Sequence, residues 1–392
     1  MLPGIQTLQA IAAGNAVLIK PAPNCSRPME AFLSSAKSAG LPEGLIQVLP
    51  ESSEAAVIAI RNDVDKVFLT GSATTGLAVS RELAESATPS VMELSGCDSV
   101  FVLEDADLNL VSDCLLFGLT LNNSQTCMAP RRVFANDHQA DAILRLLKTK
   151  LESRDQNRQL ELDKGSSTER GRNRPGSSSL RSPISASRQA TVAAQKIREA
   201  IAHGAELISG TLTSSGPAEL SGIAILDHVT SDMSIAQSDI FAPVLSFIRV
   251  SSDRQALQEN ARCPYALSAT VFGSTALSRQ FARRINAGCV VINDMIVPTA
   301  DPRVPFGGRR KSGHGMTRGE AGLLEMTQLK AIVATRRWFK PHLHHPTAAD
   351  SEVLEQLIRL EHARNPLQSL MAVPKMIRAT IQQIKLRRAR RK

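Results

Sequence analysis

The sequence predicts an α/β protein built on parallel sheets. Two observations carry this reading. Short apolar runs bounded by Pro or Gly alternate with longer segments of helical period, which is the pattern of βαβ units. The alternation is then broken by a polar stretch and ends in a tail of different charge, so the chain divides. Its 392 residues are ample for two domains.

The elements follow in order. Ala16-Val17-Leu18-Ile19 is an apolar run stopped by Pro21 and reads as a buried strand. Met29 to Ala36 reads as a helix ending near Gly40. Leu45 to Leu49 is a strand, Ser53 to Ile60 a helix and Lys66 to Leu69 a strand. Thr70-Gly71-Ser72 then leads into a helix from Thr75 to Ala84. A strand that passes through Gly-Ser into a helix can present backbone N–H groups to a phosphate. These elements make a first domain, 1–95. A second, 96–320, opens with the strand Val100 to Leu103, the helix Leu110 to Thr120, the segment Arg131 to Ala135 and the helix Gln139 to Leu151.

Residues 153–190 hold nine serines, seven arginines, three glycines and two prolines. Such a stretch buries too little apolar surface to offset its ordering entropy, and it is expected to be a disordered surface insertion. Pattern resumes with the helix Val192 to His203 and the strand Ala205 to Ile208. In the tail, 336–392, helices are expected from Asp350 to His362 and from Val373 to Arg391. In the second, Ile377, Ile381 and Ile384 share one face, and Lys385, Arg387, Arg388, Arg390 and Arg391 crowd the end.

Composition narrows the function classes. Apolar residues make up 43% of the chain, ordinary for a globular protein, and no apolar run could span a bilayer. The opening residues lack a signal-peptide pattern. Six cysteines at irregular spacing do not make a disulfide framework, and they point to a reducing compartment, the cytoplasm. His342, His344 and His345 have no cysteine partners, so no metal site is predicted. The net charge of +9 is local. Residues 336–392 carry 13 Lys+Arg against 4 Asp+Glu, and the other 335 residues carry 33 of each. The body therefore gives no reason to expect a nucleic-acid partner. The tail's isoleucine face and basic end fit an anionic membrane surface or an acidic partner.

Two local patterns carry chemistry. Cys127 lies in Ser124-Gln125-Thr126-Cys127-Met128-Ala129, and Glu93 in Met92-Glu93-Leu94-Ser95-Gly96. A thiol and a carboxylate can serve as nucleophile and general base. These patterns resemble the aldehyde dehydrogenase superfamily. Its nucleophile motif is roughly Gly-Gln-x-Cys-x-Ala, and its glutamate motif is Glu-Leu-Gly-Gly; Ser124 and Ser95 each replace a Gly. The resemblance extends to Ala13 through Pro21, to Phe68 through Ser72, to Asp239-Ile240-Phe241-Ala242-Pro243-Val244, and to Pro305-Phe306-Gly307-Gly308 with Lys311-Ser312-Gly313.

The resemblance implies an aldehyde dehydrogenase-like fold, with a partial Rossmann-type cofactor domain and an α/β catalytic domain. It implies oxidation of a small-molecule aldehyde with NAD or NADP, with Cys127 as nucleophile and Glu93 as base. Lys20 would bond the adenosine ribose, Gly71 and Ser72 the pyrophosphate, and Asp239 the nicotinamide ribose, with Phe241 beside the nicotinamide. Asp239 stands where the family has Glu, shorter by about 1.5 Å. Pro23 stands near where an acidic residue selects the ribose hydroxyl, so NAD and NADP both stay open. Residues 321–335 resemble the late helix and closing strand that serve as an oligomer edge, so a homo-oligomer is expected if the N-terminal part is present. A Pro-x-Asn motif, whose Asn donates to the oxyanion, lies in the family before the stretch matching Met1. Such a donor contributes about 10²–10³ in rate. The chain is thus expected to be an N-terminally truncated member. The alternative is a catalytically degenerate fragment that acts as a binding or scaffold protein.

Overall fold

Apolar alternation at the front of the chain builds two small sheets. Helix α1 (Leu2–Ala12) leads to β1 (Val17–Ile19), α2 (Ser26–Ser38), β2 (Ile46–Val48) and α3 (Ser53–Arg61). Then come β3 (Val67–Thr70), α4 (Ala73–Ser86) and β4 (Ser90–Glu93). Hydroxyls set two of the boundaries: Ser52 accepts from the Ala55 N–H and Ser72 from the Thr75 N–H, capping α3 and α4. β1 pairs with β2 and β3 with β4, all parallel, but β2 and β3 do not pair. The single front sheet suggested by the alternation is therefore split. β1 and β2 have three residues each and Leu18 faces outward, so this edge has little apolar surface with which to extend a sheet.

The computed structural model describes residues 2–165, 188–213, 220–334, 346–362 and 365–389. The chain continues through β5 (Asp98–Val102), α5 (Leu108–Thr120), β6 (Pro130–Ala135), α6 (Asp137–Gly165), α7 (Arg188–Ala202), β7 (Glu206–Leu212) and β8 (Leu220–Asp227). Next are β9 (Val244–Arg249), α8 (Asp253–Ala261), β10 (Tyr265–Ala266), β11 (Ser268–Phe272), α9 (Thr275–Ala282) and β12 (Cys289–Ile292). Seven of these strands form one sheet in the order β12-β11-β5-β6-β9-β8-β7, parallel except where β7 meets β8. Its central strands carry unbroken apolar runs, Val100-Phe101-Val102 in β5 and Val133-Phe134-Ala135 in β6, because helices cover both faces. Phe101 and Phe134 stack at 5.1 Å on the face covered by Ile197 of α7 and Phe281 of α9. Val100 and Val102 point the other way, toward Leu115 of α5 and Ile143 of α6.

The late loop joins the two parts. β13 (Arg309–Arg310) pairs with β10, and β14 (Gly313–His314) pairs with β4. Between them Ser312 donates from Oγ to Ser95 O at 2.6 Å and accepts from the Ala266 N–H at 2.9 Å. Gly288 is required by contact, since a Cβ there would lie 1.7 Å from Gly307 O. A short helix, α10 (Gly319–Leu324), follows.

Three expectations change. Residues 153–165, read as the start of a disordered insertion, continue α6. They are mostly good helix formers, and extending a nucleated helix costs little. The segment 188–190 likewise belongs to α7. The remainder of that insertion, 166–187, lies outside the described residues. The expected closing strand near 321–335 is absent among the described residues, where 325–334 hold no strand. A strand exists only when a neighbour takes up its hydrogen bonds, and Leu329, Ile332 and Val333 are almost wholly exposed.

By compactness the chain divides into residues 1–328 and 329–392. The second unit is a pair of packed helices, α11 (Ala348–His362) and α12 (Pro366–Ala389). α12 begins seven residues before the expected Val373 because Asn365 accepts from the Leu367 N–H and Pro366 is preset for a first turn. Ala349, Ala372 and Ala379 are buried, whereas Ile377, Ile381 and Ile384 are about half exposed. Arg390 and Arg391 lie outside the described residues, as do His342, His344 and His345. No helix among the described residues is long and apolar enough to cross a membrane.

One charge network ties the large sheet to α6. Arg249 of β9 donates to both carboxylate oxygens of buried Asp227, at 3.1 and 2.7 Å, and to Asp137 and Asp141. Arg249→Met would strand the Asp227 charge. It is expected to lower stability by about 3 kcal/mol, measured as a fall in urea midpoint with an unchanged slope.

Candidate active site

Glu93 and Cys127 come from different sheets. Glu93 ends β4, while Cys127 lies in the loop before β6. The Glu93 carboxylate is only 4% exposed. Thr317 Oγ1 donates to its Oε1, and Thr70 Oγ1 donates to its Oε2 at 3.4 Å. Burial lifts Glu93 above the ordinary carboxylate range, while Thr317, the Arg318 charge and Thr70 pull it part of the way back. Cys127 is half-buried against Met128, Leu267 and Phe306. Burial first, then the charges of Asp98 and Glu93, push its thiol up to about 12. The two groups thus feel each other, and the thiol keeps its proton near neutrality.

The approach to the cysteine is strained and pinned. Asn122, Asn123 and Ser124 have φ of 50°, 54° and 59°. A left-handed residue with a side chain costs roughly 1–2 kcal/mol, which is why glycine suits the last of these positions. Here Ser124 is fully buried and Arg131 holds it. Nη1 donates to Ser124 Oγ at 2.8 Å and Nη2 to Ser124 O at 2.7 Å. Nη1 also donates to Ala242 O at 2.8 Å, next to Phe241. Burial lowers the Arg131 pKa, and the Asp239 charge opposes this most.

Gly96 and Ser95 bring the Glu93 segment up to this loop. A Cβ on Gly96 would lie 2.5 Å from Cys127 O and 2.9 Å from Asp98 Oδ1, so only glycine allows the approach. Asp98 is buried and accepts from the Ser268 N–H at 3.2 Å and from its hydroxyl. Burial raises Asp98 to about 7. The Ser95 hydroxyl accepts from the Ala73 N–H at 3.1 Å and faces the Asp239 carboxylate. Burial also raises Asp239, and its Oδ1 has no partner among the described residues.

The other expected residues divide. Gly71 and Ser72 stand beside Glu93, with the Gly71 N–H donating to Glu93 O at 3.0 Å. Their turn opens α4, and a cavity of about 370 Å³ lies against Ser72, Thr75 and Val192. Phe241 is half-buried. Lys20 directly follows β1 of the other front sheet, and its ammonium donates to Pro21 O and to Glu51 O. The helix N-terminus, the open cavity and the orphaned Asp239 oxygen suit a polar, phosphate-bearing cofactor.

Sequence reasoning missed Thr317, Arg318, Asp98 and Arg131 as parts of the site. Arg131 and Asp98 lie within four residues of the two motifs, and a polar side chain in an apolar strand context was the available signal. Thr317 and Arg318 gave none, because only the β14 turn returns them to Glu93. Arg318 packs over the Phe306 ring at 4.6 Å and donates to Thr299 O.

A large parallel sheet and a smaller one, joined by a late loop, with a loop cysteine within electrostatic reach of a strand-end carboxylate, define an aldehyde dehydrogenase-like α/β protein. Residues 1–332 match the aldehyde dehydrogenase family, and the chain belongs to it. Benzaldehyde dehydrogenase YfmT of Bacillus subtilis is 29% identical over 82% of this chain and 64% of its own length. The NADP/NAD-dependent aldehyde dehydrogenase PuuC of Escherichia coli is 30% identical over 82% of this chain and 62% of its own length. This chain therefore spans less than two thirds of either relative. An NAD-dependent aldehyde dehydrogenase from Sinorhizobium meliloti superposes with a TM-score of 0.72 at 28% identity, covering 86% of this chain and 65% of that one.

Arg131→Met leaves Ser124 Oγ, Ser124 O and Ala242 O without their donor. It is expected to cost about 3–5 kcal/mol and to make Cys127 more reactive to iodoacetamide as its loop loosens. Unchanged stability together with unchanged labelling would show that the pin is dispensable.

Proposed function

We propose that this protein oxidises a small-molecule aldehyde to a carboxylic acid with NAD or NADP, using Cys127 and Glu93. The observation behind this reading is the burial of Glu93, raised above its ordinary range, within electrostatic reach of a protonated thiol. Cys127 gives its proton to solvent, and its sulfur attacks the aldehyde carbon to form a thiohemiacetal. The nicotinamide cofactor, when bound, supplies the hydride acceptor, and a thioester remains on Cys127. Glu93 then takes a proton from water, the water attacks the thioester, and the acid leaves. Gly71 and Ser72 would hold the pyrophosphate, Lys20 the adenosine ribose and Asp239 the nicotinamide ribose, with Phe241 beside the ring. In this reading residues 1–95 serve the cofactor and 96–320 the chemistry. The exposed Leu329, Ile332 and Val333 serve a homo-oligomer edge.

One observation favours a second reading, a degenerate binding or scaffold protein. Ser95 occupies the Ala73 N–H and faces Asp239, two groups near the cofactor turn. Titration with NADH and NADPH by fluorescence separates the two, since a folded protein that binds neither supports the second.

Cys127→Ser should abolish aldehyde oxidation. Glu93→Gln should keep a burst of reduced cofactor while slowing steady turnover, by about 10²-fold or more. Equal loss of burst and turnover would move Glu93 to the thiol step. Because a base acts ionised and Glu93 is raised, wild-type steady turnover should fall with decreasing pH before the ordinary carboxylate range is reached. Glu93→Gln should lack that limb.

The second unit is proposed as a peripheral-membrane or acidic-partner element. Its exposed Ile377, Ile381 and Ile384 and its basic sequence suit an anionic interface. Co-sedimentation with anionic vesicles should be lost on deleting 373–392 and should weaken with salt. No binding at low salt would sink the idea.

A further inference from the structure

The apolar side chains that the second unit leaves outside form a regular seam. On α12, Leu367, Leu370, Pro374, Ile377, Ile381 and Ile384 recur at spacings of three and four residues. That is the seven-residue repeat by which two helices pack along their length. All six are exposed, the five aliphatic ones by 47–73%.

The seam lies on the side of α12 away from α11. Ala372 and Ala379 are buried, Ser369 Oγ donates to Leu360 O at 3.3 Å, and Gln383 Nε2 donates to Asp350 Oδ1. Each of these α12 positions is two residues, about 200° of helix turn, from a seam position. The contact with α11 therefore leaves the seam uncovered. A small helix pair with alanines between its helices buries little apolar surface, and association commonly completes such a unit.

The seam closes on itself in one register. With two copies of α12 antiparallel, Leu367 falls opposite Ile384, Leu370 opposite Ile381 and Pro374 opposite Ile377, so every seam position is paired. Charge selects the same direction. α12 carries Lys375, Arg378, Lys385, Arg387 and Arg388 and no acidic residue, whereas α11 carries Asp350, Glu352, Glu355 and Glu361. Parallel helices would set Lys385, Arg387 and Arg388 of both copies side by side, which is repulsive. Antiparallel helices carry that basic end to the far end of the other hairpin, where α11 closes with Glu361. An anionic lipid surface would attract the basic end but repel the acids of α11, so the second copy is favoured.

We propose that α12 pairs antiparallel with α12 of a second copy of this chain, through the seam from Leu367 to Ile384. The proposal rests on the reading of the second unit as an acidic-partner element and names that partner.

The test uses the full chain with exposed Cys25 replaced, Cys25→Ser. Leu367→Cys and Ile384→Cys are added together and singly, and disulfides are driven with diamide. Positions 367 and 384 lie about 25 Å apart along one helix, so a disulfide between them joins two copies. In the double variant a 367–384 linked peptide should be found by mass spectrometry, forming at least tenfold faster than a disulfide dimer of either single variant. Adding Ile377→Glu and Ile381→Glu, both on the exposed face, should slow it at least tenfold. An unchanged rate would mean random collision and would overturn the proposal. Faster linkage in the single variants would make the helices parallel and overturn the register. No linkage, together with salt-dependent binding to phosphatidylserine vesicles, would replace the second copy by a membrane surface and leave the peripheral-membrane reading standing. No linkage and no vesicle binding would remove both.

Discussion

Arg131 carries a full charge into the interior, at 4% exposure, and the site is arranged around it. A guanidinium so placed is stable only when its donors meet acceptors in fixed directions. Three are met, two on Ser124 and one on Ala242. One end fixes the left-handed turn that leads to Cys127; the other fixes the segment carrying Asp239 and Phe241. Two parts of the chain more than a hundred residues apart thereby share one anchor. The serine that stands in place of glycine is tolerated because its hydroxyl becomes one of the acceptors.

The carboxylate is placed by a different device. Glu93 is the last residue of a strand, and strand ends are where parallel sheets expose functional groups. Its surroundings come from the late loop, which adds β14 beside β4 and carries Thr317 and Arg318 to the carboxylate. Ser312 and a close backbone approach at Gly288 allow that loop to lie against both sheets. The result is a buried acid raised above the ordinary carboxylate range, a group suited to taking a proton from water.

The second unit follows other rules. Two helices pack through small residues, Ala349, Ala372 and Ala379, while large aliphatic side chains remain outside. A helix pair that spends its alanines on itself leaves its isoleucines for something else. That division is a physical reason to treat the tail apart from residues 1–328.

The alternation of strand and helix was legible from residue types alone, because burial on two faces demands unbroken apolar runs and because Ser, Pro and Gly mark where helices start and stop. Cys127, Glu93 and the Gly71–Ser72 turn stand out as candidates in the sequence because the chemistry proposed for them needs particular neighbours along the chain. The sequence could not show that the front sheet splits, that α6 runs on to Gly165, or that the described residues 325–334 hold no strand, since each depends on which surfaces meet. Nor could it show that Thr317, Arg318 and Arg131 stand at the candidate site. Local propensity and motif chemistry act between near neighbours along the chain, whereas the ionisation of Glu93 and Cys127 depends on burial and on charges that only the folded backbone brings within a few ångströms.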